Sequence, residues 1–100
     1  MQIVPTLAVP SQTITVTLGN QPCSIAVYQK STGLFLDLAV NSVPIISGVL
    51  CLHTVLIVRD AYFGFTGDLA FLDQQGADDP HYTGLGSRWV LGYMEPWQFI

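Results

Sequence analysis

Charge is what this sequence has least of. Only 10% of its 100 residues are Asp, Glu, Lys or Arg, against roughly 25% in an ordinary soluble domain. Three basic residues against seven acidic ones leave no Lys/Arg cluster to neutralise phosphates, which excludes nucleic-acid binding driven by backbone contacts. Scarce charge together with 50% hydrophobic residues also excludes intrinsic disorder, which needs the opposite balance. Cysteine is limited to Cys23 and Cys51, and a single pair defines no disulfide framework. Both lie in apolar runs, where a thiol behaves as a small hydrophobe, so two reduced, buried thiols are expected.

The charge shortage is uneven. Lys30 and Asp37 are the only charged residues before Arg59, and the other eight follow from there. The gap between Asp37 and Arg59 is long enough for a helical bilayer span of about 20 residues. It contains Asn41, Ser42, Pro44, Ser47, Gly48, His53 and Thr54, however, and no membrane span is expected. The stretch before Lys30 has no basic start and is interrupted by Pro5 and Pro10, unlike a cleaved signal peptide.

What is present is alternation with period two. In Gln12–Leu18, Ile14, Val16 and Leu18 share one face and Thr13, Thr15 and Thr17 the other, as in a strand with one buried side. Gly19-Asn20-Gln21-Pro22 supplies a turn, and Cys23, Ile25 and Val27 then alternate with Ser24, Ala26 and Tyr28, completing a hairpin. After Lys30-Ser31-Thr32-Gly33, the residues Leu34, Leu36, Leu38 and Val40 make a third buried face, with Asp37 outward. Asn41-Ser42 turns into Val43–Ile46, where Pro44 marks an edge strand or a strand start. Gly48–Val58 is apolar nearly throughout, which hides its period; its β-branched content favours strand, as one run or as two segments joined near His53-Thr54. Asp68–Asp73 reads as another strand, Gln74–Gly86 as a polar loop, and Arg88–Met94 as the closing strand. The fold class is all-β, a small antiparallel β-barrel or sandwich of about six to seven strands. Residues 1–95 form a single domain, and residues 96–100 form an apolar C-terminal tail.

Chemistry finds little support. Asp73, Asp78, Asp79 and His81 are the residues that a metal ion would use, with Ca²⁺ favoured over Zn²⁺ by the oxygen-rich set. Acidic residues in a Pro/Gly-rich loop more often cap backbone groups, and no metal or cofactor is expected. Cys51 and His53 would share a strand face, but no neighbouring cation is present to activate a thiolate. The glycines of Thr83-Gly84-Leu85-Gly86 are followed by no Lys and are not a phosphate loop. The chain is therefore not expected to be an enzyme.

Association is better supported. The chain ends Trp97-Gln98-Phe99-Ile100, and apolar termini dock on their own domain or on a partner. Tyr62, Phe63 and Phe65 form a second aromatic concentration. The Thr- and Ser-rich outer faces of the N-terminal strands accept neighbours without desolvating ions. Candidate interface residues are Thr13, Thr15, Thr17, Tyr28, Trp97, Phe99 and Ile100. The loop from Asp73 to Asp79 is expected to be the wet side of the molecule.

Several segments together resemble a family of tailed-phage proteins. They are Pro10-Ser11-Gln12-Thr13, Gly19–Cys23, Gly33–Leu38, Gly48–Leu52, Gly67–Phe71, Asp73, Asp79-Pro80 and Tyr82–Gly86. The family is the baseplate plug proteins first delineated in a contractile-tailed cyanophage, and the resemblance runs from about Ile3 to Glu95. It implies a small β-barrel-like structural protein at the tail axis, beside the hub and spike beneath the tail tube. Partners would be those proteins and further copies of itself, with location in the virion baseplate and, during assembly, the host cytoplasm. An acidic balance suits a wall along which DNA passes, because negative surfaces do not hold it. Other readings of the residues are a different distal-tail adaptor, a small ligand-binding β-domain, or a hydrolase using Cys51 and His53 or paired Asp residues.

Overall fold

A computed structural model describes residues 2–58 and 67–94. Its strands are β1 (Gln2–Val4), β2 (Ser11–Leu18), β3 (Gln21–Lys30), β4 (Gly33–Val40), β5 (Val43–Leu50), β6 (Asp68–Asp73) and β7 (Trp89–Met94). A 3-10 turn spans Tyr82–Gly84. All strand pairs are antiparallel and make two sheets, β2-β3-β4-β5 and β1-β7-β6. Among the described residues no ladder joins one sheet to the other, so of the two expected architectures the arrangement is the two-sheet sandwich and not a closed barrel.

Tight turns set the register of the larger sheet. Leu18 pairs with Gln21 and Val40 with Val43, so Gly19-Asn20 and Asn41-Ser42 are two-residue loops. Their φ values are 55° and 61°, and 52° and 65°. Positive φ at both central residues is what a type I′ hairpin turn requires, and Gly and Asn tolerate it best. Gln21 and Pro22, expected in the turn, belong to β3. Pro22 costs β2 nothing, because it faces Thr17 where the two strands exchange no bonds. On its other side its carbonyl accepts from Asn41 N–H at 2.9 Å, so the missing donor falls at the end of the ladder.

The alternation then builds the core. Leu18, Cys23, Ile25, Val27, Leu34, Leu36, Leu38 and Val40 are buried on the inner face of the larger sheet. Val4, Leu69, Phe71, Leu91 and Tyr93 of the smaller sheet belong to the same apolar cluster. Burying such side chains contributes about 1.5–3 kcal/mol each, which makes this face match the main fold determinant. The free thiols of Cys23 and Cys51 sit within it, both buried.

Two segments depart from expectation. Gln2–Val4 pairs with β7 through Gln2–Tyr93, Ile3–Gly92 and Val4–Leu91; three residues are too few to reveal a period. The apolar run after Gly48 is not a continuous strand. β5 ends at Leu50, and residues 51–58 lie along the edge of β6 with one parallel bridge, His53 to Phe71. The reason is a buried side chain that the run itself does not contain. Asp68 Oδ1 accepts hydrogen bonds from Ile57 N–H at 3.0 Å, Val58 N–H at 2.7 Å and Leu69 N–H at 2.7 Å. A carboxylate collecting several N–H groups stabilises a bend in place of a ladder.

Candidate assembly surface

The outer face of the larger sheet is small and uncharged along β2 and the first part of β3, and carries Tyr28, Lys30, Phe35 and Asp37 farther along. Thr13, Thr15 and Thr17 are exposed along β2, opposite Ala26, Ser24 and Pro22 of β3. Ser24 and Ala26 continue to Ala39 and Asp37 on β4. A depression of about 300 Å³ lies there, with Ser24, Ala26, Asp37, Ala39, Pro44 and Ile46 among its lining residues.

The two charges of this half are both held locally. Tyr28 stacks on Phe35 with ring centroids 6.1 Å apart, and Lys30 Nζ lies over both rings at 5.4 and 5.5 Å. Tyr28 Oη–H donates to Asp37 Oδ1 at 2.8 Å. That bond favours the protonated phenol and raises its pKa, and burial adds to the effect. The same Asp37 oxygen accepts Gly48 N–H at 2.6 Å. Gly48 has φ of 65° where β5 shifts register against β4, and this irregularity aims its N–H at the carboxylate. Tyr28 is therefore half-buried with its hydroxyl occupied, and any contact it makes with a neighbour uses the ring. The Tyr28–Asp37 bond was readable only once register was known: Asp37 faces Ala26, one diagonal step from Tyr28.

The acidic loop is also organised, and Asp73 corrects the expectation that it is wet. Asp73 is 9% exposed. Its Oδ1 accepts Arg88 Nε–H at 2.9 Å and Gln75 N–H at 2.9 Å. Its Oδ2 accepts Arg88 Nη2–H at 2.8 Å and Asp78 N–H at 2.9 Å. This fork, the strongest arrangement for such a pair, holds the Asp73 carboxyl well below the usual carboxylate range against the opposing effect of burial. Arg88 also reaches Asp78 Oδ2 at 2.8 Å and stacks 4.5 Å from the Trp89 ring centroid. Trp89 Nε1–H closes the unit by donating to Asp78 O at 3.1 Å. Asp78 and Asp79 are exposed, as expected.

These contacts also decide what the chemical candidates do. Asp79 Oδ1 accepts His53 N–H at 3.1 Å, and His53 Nδ1 accepts Asp73 N–H at 3.0 Å. His81 Nδ1 is 2.9 Å from Thr83 Oγ1. Among the described residues no group of three or more His, Cys, Asp or Glu is placed to hold a metal ion. Burial pushes the Cys51 thiol up to about 12, away from an activated thiolate, and His53 Nδ1 is occupied by a backbone N–H. Neither feature favours the Cys51–His53 hydrolase reading. No helix among the described residues is long and apolar enough to cross a membrane. Trp97, Phe99 and Ile100, like Tyr62, Phe63 and Phe65, lie outside the described residues.

This surface-bearing β-domain has a match along almost its whole length. Residues 1–96 match the family described as cyanophage baseplate Pam3 plug gp18. The chain belongs to that family. No curated protein matches it. Membership gives the plug-family chain a structural role in a phage tail in general terms. The fold is in keeping with such a role: among the described residues Asp37, Asp68, Asp73 and Arg88 order the chain's own turns and loops, and the outer face of β2 carries no charge.

Proposed function

We propose that the chain is a structural component of a phage tail baseplate, a plug- or hub-associated domain on the tail axis beneath the tube. The observation that carries this reading is the family match over residues 1–96. The uncharged outer face of β2, with Ser24 and Ala26 of β3 beside it, supports it, because such a surface is covered at low desolvation cost. Hub, tail-tube and spike proteins are the proposed neighbours, together with further copies of the chain. The virion baseplate is its proposed location, after assembly in the host cytoplasm. Asp78 and Asp79, both exposed, would face the channel, where negative charge keeps DNA from sticking.

The test is localisation in purified tails carrying an epitope-tagged chain. Label at the distal end, on the axis, is expected. Label spread along the tube or absent from particles would reject the reading. In the same particles, removal of Trp97–Ile100 is expected to lower incorporation while the isolated domain still folds.

A further inference from the structure

Among the described residues the sandwich has four strand edges, and three are blunted. β1 is only three residues long and runs into Pro5. β5 carries Pro44 and a register shift. β6 is covered by the 51–58 segment, whose Thr54 N–H donates to Phe71 O and Ile57 N–H to Leu69 O, each at 2.9 Å. Short length, proline, irregular register and a covering segment are the devices that prevent edge-to-edge pairing. Among the described residues β2 has none of them. It is eight residues of unbroken register, Ser11–Tyr28 through Leu18–Gln21, without Gly, Pro or charge.

The backbone groups on that edge can be assigned. Gln29 N–H donates to Pro10 O at 2.8 Å, so Pro10 and, by alternation, Gln12, Ile14, Val16 and Leu18 direct their groups at β3. Ser11, Thr13, Thr15 and Thr17 then direct theirs away from the sheet. The same threonines carry the exposed side chains, and Ile14 and Val16 beside them are only partly buried.

We infer that β2 is a pairing edge for a second copy of this chain, joined antiparallel about a two-fold axis through Thr15. The pattern Thr13-Ile14-Thr15-Val16-Thr17 alternates identically in both directions. With Thr15 opposite its own copy, Thr13 faces Thr17 of the other chain and Ile14 faces Val16. Threonine meets threonine on the outer face and β-branched meets β-branched on the inner face, both favourable cross-strand pairs. About six backbone hydrogen bonds form between Thr13, Thr15 and Thr17 and their copies. A two-fold contact sets each residue near the axis against itself or a close neighbour, so any charge would meet its like. The absence of charge before Lys30 removes that obstacle, which favours a self-partner over a strand of another protein. This inference stands on the edge itself and does not depend on the tail role.

Sedimentation equilibrium of the full chain over a dilution series tests it. The wild type is expected to reach twice the mass of one chain. Thr15→Pro removes an N–H that β3 does not use, so the monomer is expected to fold with unchanged far-UV circular dichroism. Its dimer dissociation constant is expected to rise by about a hundredfold or more. Thr15→Glu places like charges on the axis and should weaken the dimer similarly, with partial recovery in high salt; it decides the matter if the proline variant fails to fold. Val43→Glu, on the β5 edge, should leave the dimer intact. A wild type that stays monomeric at every concentration overturns the inference. So does a dimer that survives Thr15→Glu, or one that Val43→Glu abolishes.

Discussion

Asp68 is the residue whose removal most directly tests the account of the 51–58 segment. Its Oδ1 holds the N–H groups of Ile57, Val58 and Leu69, and the residue is 3% exposed. In Asp68→Ala, Ile57 N–H keeps Leu69 O as an acceptor at 2.9 Å. The Val58 and Leu69 groups lose theirs, and each buried orphan costs about 1–3 kcal/mol. The expected loss is therefore about 2–6 kcal/mol, a large part of the ~5–15 kcal/mol that holds a domain of this size together. Asp68→Asn keeps a carbonyl acceptor in place and should cost about half as much or less. Urea unfolding followed by tryptophan fluorescence reads both, with Trp89 buried as a reporter. Native-state hydrogen exchange should show the Val58 and Leu69 amides losing protection before the β2–β4 amides do. An alanine variant within about 1 kcal/mol of wild type, with those amides still protected, would refute the claim that one carboxylate organises this segment.

Other outcomes follow from the same geometry. Asp73 has its pKa depressed in the folded state, so its contribution is fully present above the unfolded carboxylate pKa of about 3.9. It is lost as pH falls below that value toward the folded pKa. Urea midpoints measured from neutral pH down to acid should therefore decline in the wild type, and Asp73→Asn should remove part of that decline. Leu36→Ala, at a fully buried position, should cost about 2–5 kcal/mol, whereas Thr13→Ser on the exposed face of β2 should stay within about 0.5 kcal/mol by urea titration. The Cys51 thiol, with its pKa raised to about 12 by burial, should resist alkylation in the native protein and react once urea unfolds it. Mass spectrometry of the alkylated peptide checks this.

The sequence made the larger sheet legible because its signals are redundant. In β2, β3 and β4 every second residue is apolar, and the Gly19-Asn20 and Asn41-Ser42 turns fix which residues face each other. Pattern and turn chemistry agree there, so a slip by one residue would expose an entire face. β6 was equally clear, its expected limits matching Asp68–Asp73. The 51–58 run failed for the converse reason. An apolar run is compatible with strand, helix or buried coil, and the residue that chooses between them is Asp68, far along the chain. The site showed the same division. Exposure of Thr13, Thr15 and Thr17 was readable from alternation, whereas the Asp73–Arg88 fork joins the end of β6 to the start of β7 and has no local signature.

The scarcity of charge then takes on a specific meaning. A free-standing small domain uses dispersed charges to stay soluble. Here Asp37 is bonded to Tyr28 and Gly48, and Lys30 lies over two rings. Asp68 gathers backbone N–H groups, while Asp73, Asp78 and Arg88 close one loop. These charges are all engaged in the protein's own geometry, and among the described residues the larger sheet keeps an open outer face and one unblunted edge. Both features carry a cost in a monomer exposed to water and neither does in an assembly that covers them. The assembly proposed above would account for this composition where the core does not, since the core needs only the inner half of each strand.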